Sequence, residues 1–341
     1  MQRPIMDPLF LQDDPEPSTR RRRAINYWNA LRAVLRGVGW LVSKLLTSPL
    51  RRRGRKRLVH DLGVGGRLIR EATSRLVFLP LLVALSVAVL VYGGTHPPPP
   101  PQGLGPASAG LYFDAIDFTS DDATQLRGWI VPAIDARRVL ESGDKLLRAR
   151  HPGVVLAHDY GQSPSQLVPF LAPLHEAGFD VLVVGLRGVG LNRPVGQTFG
   201  PNESKDIAAA VQVLSRHPSV DPRRIAVLGV GTGANAALLA CERDPRIAAL
   251  VVADPVGDSY EAVARYIGPS HWPLGWMQPL SRWGWELGYR IGSDEMDLTR
   301  FQDLLVADKT FCADNVVQIG GSLAPTFVHR ATEFLIDRLS D

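Results

Sequence analysis

The chain has 341 residues, 45% of them hydrophobic, and carries only 2 cysteines. That is long and apolar enough for one large domain or two ordinary ones, and it excludes a disordered polymer or a disulfide-stapled miniprotein. The net charge of +4 hides an asymmetry, because residues 1–75 sum to +11 and residues 76–341 to −7.

Residues 1–23 form a polar head that ends in Arg20–Arg23 and shows no apolar periodicity, which predicts disorder. Ile25, Trp28, Leu31, Leu35, Val38, Leu41, Val42 and Leu45 then recur in steps of three and four, one face of a helix, among Arg32, Arg36 and Lys44. Two readings of this basic amphipathic helix, 24–50, stay open. It lies on an anionic lipid surface, or it packs with 58–74 in a small cytoplasmic bundle of juxtamembrane helices over 24–75.

A basic head alone reads as nucleic-acid binding, but the next segment points to lipid instead. Leu76–Tyr92 is a 17-residue run without a charge or an amide, and Gly93–Thr95 extends it to 20. At about 1.5 Å per residue that reaches roughly 30 Å, a bilayer's hydrocarbon thickness. We read 76–95 as a transmembrane helix and expect the bilayer, not nucleic acid, as partner. Pro80 is expected near its first turn, where a missing N–H costs little. Arg67, Arg70 and Arg75 flank the run, so the chain is expected to be single-pass, a signal-anchor with its N-terminus cytoplasmic and the rest extracytoplasmic. Cys241 and Cys312 would then meet an oxidising compartment, and free buried thiols are expected in preference to a disulfide.

His96 is followed by Pro97–Pro101, so 96–110 reads as a stiff stalk holding the next domain clear of lipid. From 111 to 341 the pattern is that of an α/β domain. Strands are expected at Leu111–Phe118, Gln125–Val131, Gly153–Leu156, Val181–Gly185, Ile225–Leu228 and Ile247–Ala253. Helices are expected at Gln166–Ala177, Ser204–Arg216, Ala234–Cys241 and, closing the chain, Pro325–Leu339. Strands separated by helices imply parallel crossovers and a mostly parallel sheet with helices on both faces.

The stretch Ile225–Ala240, IAVLGVGTGANAALLA, is an apolar run, a glycine-rich turn and a run of helix formers. Together with GWIVPA (128–133), VVLAHDYGQS (154–163) and VLVVGLRGVGLN (181–192), it resembles the α/β-hydrolase superfamily, in its lipase, esterase and serine-aminopeptidase-like branch. The resemblance covers about 111–260, and 325–341 more loosely. It implies a strand–turn–helix elbow at Gly229, Gly231, Thr232 and Gly233, and an oxyanion loop at His158, Asp159, Tyr160 and Gly161. It implies neither a cofactor nor a metal.

Four features depart from the pattern. Gly231 stands where the family's nucleophile projects, so no acyl-enzyme can form there. The family's histidine belongs in the loop that maps to Val316–Ala324, which has none. Asp159 replaces a glycine beside a pocket that stabilises negative charge, and Gly185 stands where the family often has Asp. Thr232 is expected to give a backbone N–H rather than a nucleophile. His158 reads as structural, His271 lies in the inserted segment, and His329 reads as an ordinary helix residue. Asp308 and Asp314 fall in the acid's region. The expected function is a membrane-anchored pseudohydrolase serving as a binding or scaffold module. The alternative is an active esterase, lipase or peptidase with a rearranged site at Asp159, His158 or Ser163. A lid is expected at about 255–300, where Trp272, Trp276, Trp283, Trp285 and Tyr289 pack on the core, meet an unknown small-molecule or protein ligand, or touch the membrane face.

Overall fold

The computed structural model describes residues 64–98, 100, 103–134, 140, 149–189, 192, 195–267, 275–292, 294–295, 297–314, 316 and 322–339. The expected disordered head, the amphipathic helix 24–50, His271 and Trp272 lie outside the described residues. By its contacts the chain divides between Leu90 and Val91.

The apolar run belongs to a longer helix, α1 (Val64–Thr95). Arg67, Arg70, Glu71 and Arg75 are good helix formers, so the charged flank simply continues the apolar segment. Pro80 therefore sits inside the helix, not in its first turn as expected, and removes the N–H that would bond the carbonyl of residue 76. Among the described residues, Phe78–Thr95 is long and apolar enough to cross a membrane, with mean hydropathy 2.1.

Val91–Asp341 belongs to one unit, built on a seven-stranded sheet of order β1-β2-β4-β3-β5-β6-β7. β1 (Asp114–Thr119) and β2 (Gln125–Val131) form an antiparallel hairpin, and β2 pairs antiparallel with β4. β3 (His151–Ala157), β4 (Asp180–Val184), β5 (Val220–Val230), β6 (Ile247–Ala253) and β7 (Thr310–Ala313) run parallel. Alternation sorts their side chains. Val155, Val184, Val227 and Val252 enter one core, while Val154, Val183, Leu228 and Val251 enter the other.

The flanking helices bury one stripe each. Across α3 (Glu203–Arg216) it is Ile207, Ala210, Val211 and Leu214; across α8 (Pro325–Leu339) it is Phe327, Val328, Ala331 and Leu335. The helix expected at Gln166–Ala177 is instead a 3-10 segment, Pro164–Phe170, leading into a short α2 (Leu171–Glu176). Pro169 removes a donor in mid-segment, which a continuous α-helix does not tolerate. α4 (Thr232–Arg243) follows β5, the segment 255–300 expected to be a lid contains α5 (Ser259–Tyr266) and α6 (Gln278–Tyr289), and α7 (Gln302–Leu305) lies past it.

The described part of 96–110 lies against the domain rather than projecting as a spacer. A Cβ on Gly161 would sit 3.8 Å from Pro97, and one on Gly103 would overlap Ser165 Oγ. Both cysteines are free. Cys241 is buried as expected, whereas Cys312 is exposed, because β7 is an edge strand.

Candidate functional site

After β3 the chain goes to β4 on one side, and it returns to β5 on the other. The carboxyl ends of β3 and β5 therefore flank the point where strand order reverses, the usual ligand site of an open α/β sheet. Asp159 follows β3 and Gly231 follows β5.

Gly231 has φ 57 and ψ −118, the left-handed conformation of a sharp strand-to-helix turn, and its N–H donates to Ala253 O at 2.8 Å. Its neighbours are glycines for steric reasons. A Cβ on Gly233 would lie 2.6 Å from the carbonyl oxygens of Ala157 and His158, and one on Gly229 would overlap Gly233 O. Gly185 is equally constrained, since a Cβ there would come 2.8 Å from Arg127 O.

The space above Gly231 is filled. A Cβ at position 231 would overlap the Asp159 carboxylate. Asp159 Oδ1 accepts the N–H of Thr232 at 2.9 Å and of Tyr160 at 2.6 Å. The backbone N–H of Thr232 thus goes to a side chain of its own protein. Burial pushes the Asp159 carboxyl up, against the two N–H bonds and the Arg265 charge that favour its ionised form, while Asp254 adds to the rise.

No imidazole among the described residues hydrogen-bonds to that carboxylate. His158 is fully buried, its Nδ1 pairs with Asp159 O at 2.8 Å, and its Nε2 accepts the Leu186 N–H at 3.2 Å. Those partners fix a neutral ring, and burial lowers its pKa to about 4, so it holds the loop after β3 to the β4 turn. His329 is exposed on α8 beside Glu333, 3.2 Å away. Ser163 pairs with Ser165, and Gly161, with φ 66, turns the loop.

Asp308 and Asp314 are exposed on either side of β7, Asp314 beside Cys312. The carboxylate coupled to Asp159 is Asp254, just after β6. It has φ 49, its N–H donates to Ala313 O, and its Oδ2 accepts the Val316 N–H at 2.9 Å. Sequence reasoning missed Asp254, Arg265 and Tyr266. The available signal was an acidic residue directly after an apolar strand of a parallel sheet.

An aromatic roof continues from Asp159. Tyr160 packs on Tyr266 (4.4 Å between centroids) and Phe199 (5.4 Å), and Phe199 on Trp285 (5.7 Å). The last turn of α1 joins it. Tyr160 O–H donates to Gly94 O, and a Cβ on Gly94 would lie 2.6 Å from Ile267 Cα. Thr95 is fully buried; its Oγ1 accepts the Tyr289 O–H at 2.9 Å, and its carbonyl accepts the Gln197 N–H at 2.8 Å.

Asn235, in the first turns of α4, ties this roof to the elbow. Its Nδ2 donates to Phe199 O (3.2 Å) and Val256 O (3.0 Å), and its Oδ1 accepts the Val256 N–H (2.9 Å). Asn235→Ala leaves three buried backbone groups unpaired, and urea denaturation is expected to register a loss of about 2–3 kcal/mol.

No family model matches the chain. Polyketide transferase ATR5 of Stachybotrys chlorohalonatus is 32% identical over 146 residues, 42% of this chain and 44% of that protein. Thiohydrolase apmlB of Arthrinium phaeospermum is 29% identical over 150 residues, 43% and 44% of the two chains. The uncharacterized protein Rv2307c of Mycobacterium tuberculosis is 32% identical over 166 residues, 48% and 50%. The chain thus spans half or less of the length of these curated relatives. Among solved structures, the Pyrococcus furiosus esterase Pf2001 superposes with TM-score 0.50 at 18% identity, covering 71% of this chain and 99% of that one.

Proposed function

We propose that this chain, which has the α/β-hydrolase fold, is a membrane-anchored protein whose hydrolase-fold domain is catalytically silent and serves as a binding or scaffold module. The observation that carries the reading is the Asp159 carboxylate, which stands where a nucleophile would project and takes the N–H of Thr232 and Tyr160. These donors would stabilise the oxyanion of an acyl-transfer intermediate, and a resident carboxylate competes for them. The neutral, doubly bonded His158 leaves no base beside them among the described residues. In this reading α1 spans the bilayer, the basic segment before it faces the cytoplasm, and the helix 24–50 adds contact with anionic lipid.

Incubating the full chain in detergent with a serine-reactive fluorophosphonate is expected to give no adduct on the elbow or the oxyanion loop. Stoichiometric labelling there would overturn the reading. One observation favours a second reading, a rearranged hydrolase: the group occupying the nucleophile's place is itself a potential nucleophile. The names of the relatives direct the assay to short acyl esters and acyl thioesters. Turnover that vanishes in Asp159→Ala and persists in Ser163→Ala would establish it in place of the first.

A further inference from the structure

The helix α6 is apolar on two opposite sides. Ser281 and Trp285 are buried against the domain, as a packing helix requires. On the other side Leu280 (37% exposed), Trp283 (64%) and Leu287 (64%) follow one another at steps of three and four, and Trp276 (58%) precedes them by one turn. A stripe of two tryptophans and two leucines is more than the scattered apolar exposure of an ordinary surface.

Its position narrows the occupant. Tyr289, the last residue of α6, donates its hydroxyl proton to Thr95, the last residue of α1. A 12-residue helix is about 18 Å long, so the whole stripe lies within about 25 Å of the point where the apolar helix ends. Tyr92, one turn before Thr95, is also exposed and stacks on His96, 4.2 Å between ring centroids. Tyrosine and tryptophan beside the end of an apolar helix is the composition of a membrane interface, where the rings lie among headgroups and the aliphatic groups reach the acyl boundary. A separate protein partner would give no reason for the stripe to be held at the end of α1.

We propose that the outer face of α6, formed by Leu280, Trp283 and Leu287 together with Trp276 in the 3-10 turn before it, is seated in the interfacial layer of the bilayer that α1 enters. The proposal rests on the reading of α1 as a membrane span. It makes the lid a second lipid contact, which orients the domain on the membrane surface.

The test uses the full chain in phosphatidylcholine vesicles. In a Cys241→Ala, Cys312→Ser background, Leu287→Cys carries an environment-sensitive nitrobenzoxadiazole label, and Asp303→Cys on α7 serves as reference. The label at 287 is expected to emit at shorter wavelength and to be quenched by lipids spin-labelled near the headgroup, while the label at 303 is not quenched. An unquenched label at 287 overturns the proposal. So does a shift at 287 that depends on protein-to-lipid ratio without quenching, which would assign the face to a second copy of the chain. Alkaline carbonate extraction judges the span separately. A chain that resists extraction while 287 stays unquenched keeps α1 in the membrane and removes α6 from it; a chain that is extracted although 287 was quenched does the reverse. Should the labelled variant fail to fold, Trp283→Phe in the otherwise native chain replaces it. Quenching of tryptophan emission by brominated lipid is then expected to fall, and an unchanged fraction refutes the seating.

Discussion

Restoring the missing hydroxyl, by Gly231→Ser, is expected to destabilise the domain by about 3–5 kcal/mol and to create no fluorophosphonate-reactive site. Two costs combine. A non-glycine residue held at φ 57 and ψ −118 stores roughly 1–3 kcal/mol of backbone strain. The new Cβ also overlaps the Asp159 carboxyl group, which must leave the N–H of Thr232 and Tyr160, hydrogen bonds of about 0.5–1.5 kcal/mol each. The costs separate in a double-mutant cycle. Asp159→Gly is expected to cost those two bonds in the parent but little more in the serine background, where they are already lost, a favourable coupling of about 1–3 kcal/mol in chemical denaturation. A Gly231→Ser protein as stable as the parent would refute the steric account. The double variant frees both donors but gains no imidazole from the described residues, so labelling is expected to stay slow. Rapid labelling would mean that a base reaches the elbow from outside the described residues.

Much of this site was legible in the sequence, for reasons that differ by residue. Gly229, Gly231 and Gly233 stood out because a strand-to-helix turn at the sheet edge needs close backbone approach, and the contacts of Gly233 with Ala157 and His158 are that approach. The strands were legible from apolar runs between turn residues, and their sorting into two cores follows from a period of two. The role of Asp159 was not. Its replacement of a glycine was visible, but the pairing of β3 with β5 is what brings its carboxylate over a residue far along the chain. Asp308 and Asp314 were picked by their order along the chain, whereas Asp254 is selected by the end of β6 lying next to β7. Hydropathy treats 76–95 as one block and cannot detach its last turn, since Gly94 and Thr95 are drawn into the domain by the hydroxyls of Tyr160 and Tyr289. In the lid, composition could not separate Trp285, which packs on Phe199, from Trp283, which faces out two residues earlier.

Arg187→Ala is expected to cost about 3–5 kcal/mol, the range for removing one partner of a buried ion pair, and so a large part of a typical domain's stability. Arg187 lies in the turn after β4 and joins three separate segments. Its Nη2 meets Asp206 Oδ1 of α3 at 2.5 Å and its Nε meets Oδ2 at 3.1 Å, while Nη1 meets Asp122 Oδ2 of the β1–β2 turn at 2.6 Å. Burial opposes the guanidinium charge, and the Asp206 and Asp122 carboxylates outweigh it, holding the Arg187 pKa above its usual value. Burial would also raise Asp122, but Arg187 and Thr124 lower it to about 2. A carboxyl lowered by folding adds stability above its ordinary pKa of 3.8 and loses it as pH falls toward 2, so the native chain is expected to weaken through that acid window. For Asp206 the sign is opposite, because burial pushes this fully buried carboxyl up to about 6 even against the Arg187 charge that lowers it. Removing Arg187 raises that carboxyl further, so Arg187→Ala is expected to be destabilised most at pH 8 and less near pH 5, measured as urea midpoints against the parent. Arg187→Lys should recover little, because an ammonium cannot reproduce the fork on Asp206 while reaching Asp122. Adding Asp206→Asn to Arg187→Ala should flatten the pH dependence. If the deficit of Arg187→Ala is the same at pH 5 and pH 8, the pair acts through packing and not through charge.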